Sequence, residues 1–435
     1  MSHVNKIRLA VAKSFAPWVR EFGGDGVIGA SRPSERFFLL LNLLLPVFAG
    51  LYVFLTPMPF SSLTDAFFYL SVTALLILLS ARKTSFTLRW PVTWPFALFF
   101  IWAIIGLFWA LDLKNSIHDL RAHFLEYLII FYLLVNYFNT PKKLEGLSSL
   151  LITSVAVLSL GSIIHYYFIE GYPFTDRLGY SFKHTHTNLI GFMNVVVLPL
   201  ALYRLSASGT WKSRLIFSIC IALLCLTALL TQSRAALIGL FAGIVIMCFE
   251  NKKFLLFILP VVLVILILPG IHNRLAQHKF TEDIRSKINR LTVEIIKDHP
   301  VTGIGFGMQT YGKESAISLD QYNKRLPHTY QQEHRIYNSP HNSMLDIAMR
   351  TGLVGLALHF AIILTFLSML WKTYRRGKDE TIKSWVIALL ACLTSSLIGS
   401  LFEDVTFGAP AVIQYAILAM ITIAWNITAS DTRAL

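Results

Sequence analysis

Long apolar runs separated by short polar segments dominate the chain. A helix needs about 20 consecutive apolar residues to cross the hydrocarbon core of a bilayer. Runs of about this length lie near residues 37–56, 62–81, 92–111, 121–138, 146–169, 187–204, 214–231, 234–249, 253–270, 352–371, 383–402 and 409–427. The pattern therefore predicts an all-α polytopic membrane protein with about twelve transmembrane helices.

One long polar interval interrupts this pattern between predicted helices nine and ten. Its segment TEDIRSKINRLTVEIIKDHP begins with a capping signal and ends at Pro300, as a helix does, and GIGFGM after it indicates a glycine-rich turn. We predict five segments: an N-terminal segment at 1–36, transmembrane helices 1–9 within 37–270, a helical loop subdomain at 271–350, helices 10–12 within 351–428, and a C-terminal segment at 429–435.

Composition supports lipid as the solvent. Hydrophobic residues make up 55% of the 435 residues and charged residues 14%, and the mean hydropathy is +0.60, whereas a soluble domain carries roughly a quarter charged residues. The four cysteines all lie in apolar runs, which indicates neither a disulfide framework nor a zinc site. The polar, basic N-terminus does not resemble a removable signal peptide.

The basic residues indicate the orientation. A net charge of +14 would suggest nucleic acid as the partner of a soluble protein, but most Lys and Arg here lie in short loops, so we expect no nucleic-acid partner. About 22 of them occupy the termini and one set of alternate loops, against about five in the short loops of the other set. The positive-inside rule makes the first set, and both termini, cytoplasmic.

Polar side chains of a different kind gather in the predicted extracytoplasmic loops. The segment EGYPFTDRLGYSFKHTH carries Arg177, Lys183, His184 and His186, and Asn188 follows it. The interval 271–350 adds several arginines, and the last short loop carries a Glu-Asp pair at 403–404. Such a surface is suited to an anionic headgroup lying at the membrane plane. Two histidines two residues apart also allow a metal site, but no third ligand lies near them in the sequence, so we predict none.

Arg234 and His341 are the most informative of these residues. Arg234 lies at the start of a predicted helix, where the macrodipole disfavours a positive charge. It either snorkels to the interface or grips phosphate oxygens with its guanidinium group. His341 lies at the entry of a predicted helix; a histidine's ordinary pKa of about 6.5 suits general-base work, while a loop histidine held by hydrogen bonds is the alternative. Arg290 is spaced to pair with Glu294 on a solvated helix face.

Several segments resemble the bacterial O-antigen ligase family. HNSMLDIAMRTGLVG resembles its signature, and His341, Asn342, Gly352 and Gly355 fit that signature's positions. TQSRAALIGL, INRLTVEIIKDHPVTGIGFG and RLGYSFKHTHTNLIG resemble further family segments in the same order. One departure is Val293, where the family often has Trp. The motifs are shared with a wider superfamily that includes O-antigen polymerases and oligosaccharyltransferases.

The resemblance implies a metal-independent, inverting membrane glycosyltransferase of GT-C-like architecture, without a cofactor. Its donor would be an undecaprenyl-diphosphate-linked glycan, and its acceptor the lipid A–core oligosaccharide on the periplasmic face of the bacterial inner membrane. Arg234 and Arg290 would contact the diphosphate and His341 the acceptor hydroxyl. Arg177, Lys183, His184, Asn188 and Asn342 would line the substrate site.

Two alternatives remain open at this stage. An O-antigen polymerase would use the same chemistry with a growing glycan as acceptor. A flippase or transporter of lipid-linked glycans is disfavoured because the predicted spans carry few ionisable residues, chiefly Glu126, His165 and His359.

Overall fold

The computed structural model describes residues 32–88, 90–249, 251–254, 284–333 and 340–433. Within these ranges every regular element is a helix, and the sole β-pairing is an isolated bridge between Tyr180 and His186. The predicted all-α class is confirmed for the part of the chain that the structure describes. Most of the ninth predicted span, 253–270, lies outside the described residues, as does nearly all of the predicted N-terminal segment.

Among the described residues, nine α-helices precede the long polar interval. They are α1 (Pro33–Leu55), α2 (Ser61–Ser80), α3 (Thr93–Gly106), α4 (Leu113–Asp119), α5 (Glu126–Tyr137), α6 (Pro141–Ile163), α7 (Thr187–Ser206), α8 (Trp211–Leu230) and α9 (Arg234–Cys248). The predicted fourth span, 121–138, is not one regular helix, because a wider π-helical turn over Leu120–Leu125 separates α4 from α5. The length of an apolar run does not distinguish an α-helix from a π-helical turn.

Five further α-helices follow in the ranges 284–333 and 340–433. They are α10 (Ile284–Asp298), α11 (Leu319–Arg325), α12 (Ser343–Arg376), α13 (Glu380–Ser400) and α14 (Gly408–Arg433). The end of α10 before Pro300 agrees with the predicted helix in the polar interval. α12 begins nine residues before the predicted tenth span, and its backbone breaks at Gly352, where φ is 70° and ψ is 180°.

Eight of the described helices are long and apolar enough to cross a membrane: α1, α2, α6, α7, α8, α12, α13 and α14. Two shorter apolar helices, at Thr93–Trp109 and Arg234–Cys248, accompany them. The chain is therefore a multi-pass membrane protein, and the total of twelve spans stays a prediction. In α7, 78% of the apolar stretch is buried, against 33% in α2 and α8, so α7 lies at the centre of the bundle.

The connections between helices gather at two opposite ends of the bundle. Those predicted to be extracytoplasmic contact one another through the pairs Lys183–Thr56, Arg177–Thr231, Asn188–Glu403, His341–Glu403, Ser116–Gly307 and Asp112–Lys313. At the opposite end Thr84 contacts Tyr137, and Arg204 pairs with Glu145. The described part of the long polar interval packs on the first end and has a small apolar core of its own, to which Leu291, Ile295 and Tyr311 contribute.

Candidate active site

Glu403 is the centre of the polar cluster on the first end of the bundle. Its carboxylate is 4% exposed and lies in the connection 401–407 between α13 and α14. Oε2 lies 3.1 Å from His341 Nδ1, and Oε1 accepts hydrogen bonds from Arg285 Nη2 at 2.6 Å and from Asn188 Nδ2. Three segments that are far apart in sequence therefore meet at one buried carboxylate.

The electrostatics of this cluster keep Glu403 charged. Burial alone raises the pKa of its carboxyl group, but the hydrogen bond from His341 and the charge of Arg285 outweigh burial and bring the pKa below its ordinary value. An ionised carboxylate only accepts hydrogen bonds, so Nδ1 of His341 donates and carries the ring proton. Nε2 of His341 is then the basic nitrogen.

The backbone at His341 holds the ring at a helix entrance. Its φ is 45°, an uncommon value for a residue other than glycine, and the following Asn342 caps α12. The oxygen of Asn342 accepts from the backbone N–H groups of Met344 and Leu345, and its amide donates to Leu401 O at 2.9 Å. Both ends of the Asn342 side chain thus fasten α12 to the connection that carries Glu403. These bonds give Asn342 a positioning role, and its contact with substrate stays a prediction.

Arg177 extends the cluster toward the start of α9. Its Nε donates to Thr231 O at 2.7 Å, and its Nη2 donates to the side-chain oxygen of Asn188. Asn188 therefore bridges Arg177 and Glu403. The predicted residues Arg177, Asn188 and His341 lie in one hydrogen-bonded chain that also includes Glu403.

Arg234 is the first residue of α9 and is exposed. The helix is capped by the Ser233 side chain, which accepts from Ala236 N. Arg177 holds the turn three residues before Arg234 through Thr231. Arg234 thus lies at the edge of the cluster with an exposed side chain.

Arg290 and Arg285 lie on α10, five residues apart, which is about 7.5 Å along a helix axis. The guanidinium group of Arg290 stacks on the ring of Tyr330 at 3.7 Å from its centroid. Its predicted neighbour Glu294 pairs instead with Lys297 at 2.6 Å. The stack holds the guanidinium plane in a fixed orientation while the residue remains exposed.

Two of the predicted site residues point away from this cluster. Lys183 donates to Thr56 O at 2.8 Å, and burial lowers the pKa of its ammonium group. His184 packs its ring against Tyr180 and His165. Lys183 and His184 lie on the same connection as Arg177, but their side chains contact other groups. Proximity in sequence does not reveal this difference in direction.

Sequence reasoning did not assign Glu403 and Arg285 to the site. In the sequence, Glu403 is one of two acidic residues in a short loop, and Arg285 is one of several basic residues in the long interval. The sequence contains one indication of the role of Glu403: it is a carboxylate on the side otherwise rich in Arg and His. A buried ionised carboxylate needs charged or hydrogen-bonding partners.

The glycines of the His341 segment have a packing role. A Cβ added at Gly352 would lie 1.9 Å from Val301 O, and its positive φ favours glycine. The break in α12 frees backbone groups that pair with the glycine-rich turn (residues 301–307): Leu353 N donates to Pro300 O at 2.8 Å and Ile304 N to Met349 O at 2.9 Å. This pairing fixes the turn against the helix that follows His341.

An apolar cleft lies beneath the cluster, between α12, α13 and α14. It begins at Ser343 and Val405, next to Glu403, and reaches Phe366 and Ile417 inside the bundle. The cleft connects the polar end of the molecule with its apolar interior.

Comparison with known proteins adds one finding. Residues 219–360 match the sequence profile of a family described as O-antigen ligase. The match includes Arg234, Arg290 and His341, whereas Arg177 and Glu403 lie outside it. No curated protein matches the chain.

Proposed function

We propose that this member of the O-antigen ligase family transfers an undecaprenyl-diphosphate-linked O-antigen glycan to the lipid A–core oligosaccharide. The reaction would take place on the periplasmic face of the bacterial inner membrane. The observation that carries the proposal is the contact between the buried Glu403 and the partly exposed His341, with Arg285 on the same carboxylate, at one end of a multi-pass bundle. In such a pair the base and the charge that supports it are already in contact.

His341 acts on the acceptor in this proposal. With Nδ1 bonded to Glu403, Nε2 accepts the proton of the acceptor hydroxyl as its oxygen attacks the anomeric carbon. Glu403 stabilises the imidazolium ion that forms. The new bond joins the acceptor oxygen to the anomeric carbon, and the bond from that carbon to the phosphate oxygen breaks. One such displacement inverts the configuration.

The arginines act on the leaving group. Undecaprenyl diphosphate gains negative charge as it leaves, and a guanidinium group binds two phosphate oxygens at once. Arg234 and Arg290 have exposed side chains for this contact, and Arg177 supports the turn before Arg234. Preorganised donors of this kind each contribute about 10²–10³ in rate, so the chemistry requires no metal ion or other cofactor.

The apolar cleft supports a lipid substrate, although its volume of about 80 Å3 admits only a short part of an isoprenoid chain. It opens beside the connection carrying Glu403 and continues between the three C-terminal helices. An isoprenoid chain entering from the membrane would keep its diphosphate at the level of the arginines, because hydrocarbon and charge partition to different depths.

A deletion strain tests the proposal and separates it from the polymerase alternative. We expect the strain to accumulate polymerised glycan that is not attached to the core, and the wild-type chain to restore attachment. Attachment should be lost in Arg234→Ala, Arg290→Ala and His341→Ala at unchanged protein level in the membrane. Lys324→Ala is the matched control, since Lys324 is an exposed residue that pairs with Asp320 on α11.

Other outcomes would contradict the proposal. Core bearing single repeat units in the deletion strain would indicate a polymerase. Normal lipopolysaccharide in all three variants, the two arginine variants and the histidine variant, would contradict the mechanism. Restored glycan attachment when the donor is moved across the membrane by other means would indicate a transporter.

A further inference from the structure

We propose that a second cavity, bordered by the 401–407 connection, binds the acceptor carbohydrate and favours a sugar that is neutral or carries an amino group. This inference rests on the proposed function of the site. The cavity measures about 650 Å3 and is bordered by three segments: 119–123, 308–313 and the start of α12 with 404–407. Its size falls within the range of about 300–1,000 Å3 that is typical of ligand pockets.

The cavity adjoins both members of the Glu403–His341 pair through their chain neighbours. Pro340, which directly precedes His341, lines it, and so does Asp404, which directly follows Glu403. A sugar in the cavity would therefore lie beside the segments that carry the histidine and the glutamate.

The lining groups suit the polyhydroxylated surface of a sugar. Gln309 is exposed and offers both an acceptor and donors, and Phe407 offers apolar surface. Asp119, Asp346 and Asp404 also line the cavity, but each is buried and has internal partners, so they contribute chiefly their negative charge.

Those internal bonds make the walls rigid. Asp119 accepts from Met308 N at 2.7 Å, and Asp346 pairs with the buried Arg350 at 2.6 Å. Asp404 accepts from the hydroxyl of Thr406 at 2.8 Å. A site whose side chains are already held in place loses little conformational freedom on binding.

The charges of the two sides differ. Arg285 contacts Glu403 on the diphosphate side, whereas Asp119, Asp346, Asp404, His123 and Lys313 line the second cavity. Arg350 offsets the charge of Asp346, and Asp112 offsets that of Lys313, so Asp119 and Asp404 leave this side acidic. Like charges exclude an anionic group from the acidic side and so separate the two substrates. A phosphate or carboxylate next to the acceptor hydroxyl would meet the same repulsion.

Binding of soluble probes to the full-length protein in detergent, without donor, tests the cavity independently of catalysis. The probes are a neutral hexose trisaccharide, the same trisaccharide with one amino sugar, and the same trisaccharide with one phosphate monoester. Saturation-transfer NMR at millimolar concentration reports their dissociation constants. We compare the wild-type chain with Gln309→Ala, Asp404→Asn and the control Asp320→Asn, whose carboxylate is an exposed partner of Lys324 on α11.

We expect the phosphorylated probe to bind at least about tenfold more weakly than the neutral one, and Asp404→Asn to narrow this difference. Gln309→Ala should weaken neutral-sugar binding about two- to tenfold, the range for one neutral hydrogen bond, and Asp320→Asn should change nothing. Since Gln309 is exposed, its variant tests the cavity even if Asp404→Asn fails to fold.

Equal or tighter binding of the phosphorylated probe would overturn the inference, as would undetectable binding of the neutral probe or binding unaffected by both cavity variants. Probe binding that follows the expectation in a protein unable to transfer glycan would sink the proposed function and leave the carbohydrate site standing. Glycan transfer by a protein whose probe binding is insensitive to the cavity variants would overturn the carbohydrate site and leave the proposed function standing.

Discussion

Replacing Glu403 by glutamine removes one charge from the centre of the site and keeps the size of the side chain. Arg285 and Asn188 both donate to Oε1, while His341 faces Oε2. The amide oxygen of glutamine must therefore take the Oε1 position, and its NH2 group must face Nδ1 of His341. A donor at that place forces the ring proton onto Nε2, so the base loses its accepting nitrogen.

The magnitude follows from that tautomer change. General-base assistance contributes about 10²–10⁴ in rate, and the equivalent tautomer reversal in a Ser-His-Asp triad costs about 10⁴-fold. We expect kcat to fall by about 10²–10⁴ and the donor KM to change little, because the arginines remain. Loss of charge-assisted hydrogen bonds should also destabilise the fold by about 1–3 kcal/mol.

The assay is steady-state glycan transfer by the purified variant in liposomes, with thermal unfolding measured in parallel. Glu294→Gln is the matched control, because Glu294 forms a surface pair with Lys297 that is worth about 0–1 kcal/mol. Glu403→Asp keeps the charge and should recover part of kcat. A Glu403→Gln enzyme with nearly wild-type kcat would refute the assignment of His341 as a base supported by Glu403.

Four further outcomes are expected. Gly352→Ala should sharply reduce the amount of folded protein, as judged by monodisperse elution in detergent, because its Cβ would collide with the glycine-rich turn. Gly146→Ala, which meets nothing within 4 Å, should elute like wild type, and equal elution of both would contradict the packing argument. Arg290→Lys should lower kcat/KM for the donor about tenfold and Arg290→Ala about 10²–10³-fold; Arg325→Lys, which alters another guanidinium stacked on a tyrosine, should not. Because the pKa of Glu403 lies below its ordinary value of 4.5, its stabilising charge is present above pH 4.5 and is lost as pH falls through the lower, folded-state value. The melting-temperature gap between wild type and Glu403→Gln should therefore stay constant at neutral pH and close in acid, and a gap that closes already near pH 6 would contradict the shift. Transfer should survive thorough chelation, whereas a loss of activity restored by a divalent ion would overturn the metal-free mechanism.

Apolar run length was enough to predict most of the helices. Eleven of the twelve predicted spans overlap helices that the structure describes, but eight of the described helices are long and apolar enough to cross a membrane. Most of the ninth predicted span lies outside the described residues. The π-helical turn at Leu120–Leu125 and the break at Gly352 were not predicted. The break packs against the glycine-rich turn, which is distant in sequence, and the length of an apolar run does not indicate a π-helical turn.

The residue types of the site were predictable from the sequence, but the directions in which their side chains point were not. His341 and Arg177 carry unusual local signals, a helix entry and a polar loop beside a span, and the structure joins them through Asn188 and Glu403. Glu403 is 62 residues from His341 in sequence, so only the tertiary fold brings the two together. The side chain of Lys183 turns away from this cluster to a backbone carbonyl, which no local pattern indicates.

Reconstitution of the purified protein with purified undecaprenyl-diphosphate-linked glycan and purified lipid A–core tests the central claim most directly. The account predicts that glycan becomes covalently attached to the core with inverted anomeric configuration, in the presence of a chelator, and that His341→Ala abolishes attachment. No attachment by a folded wild-type protein, attachment with retained configuration, or full activity of His341→Ala would contradict it.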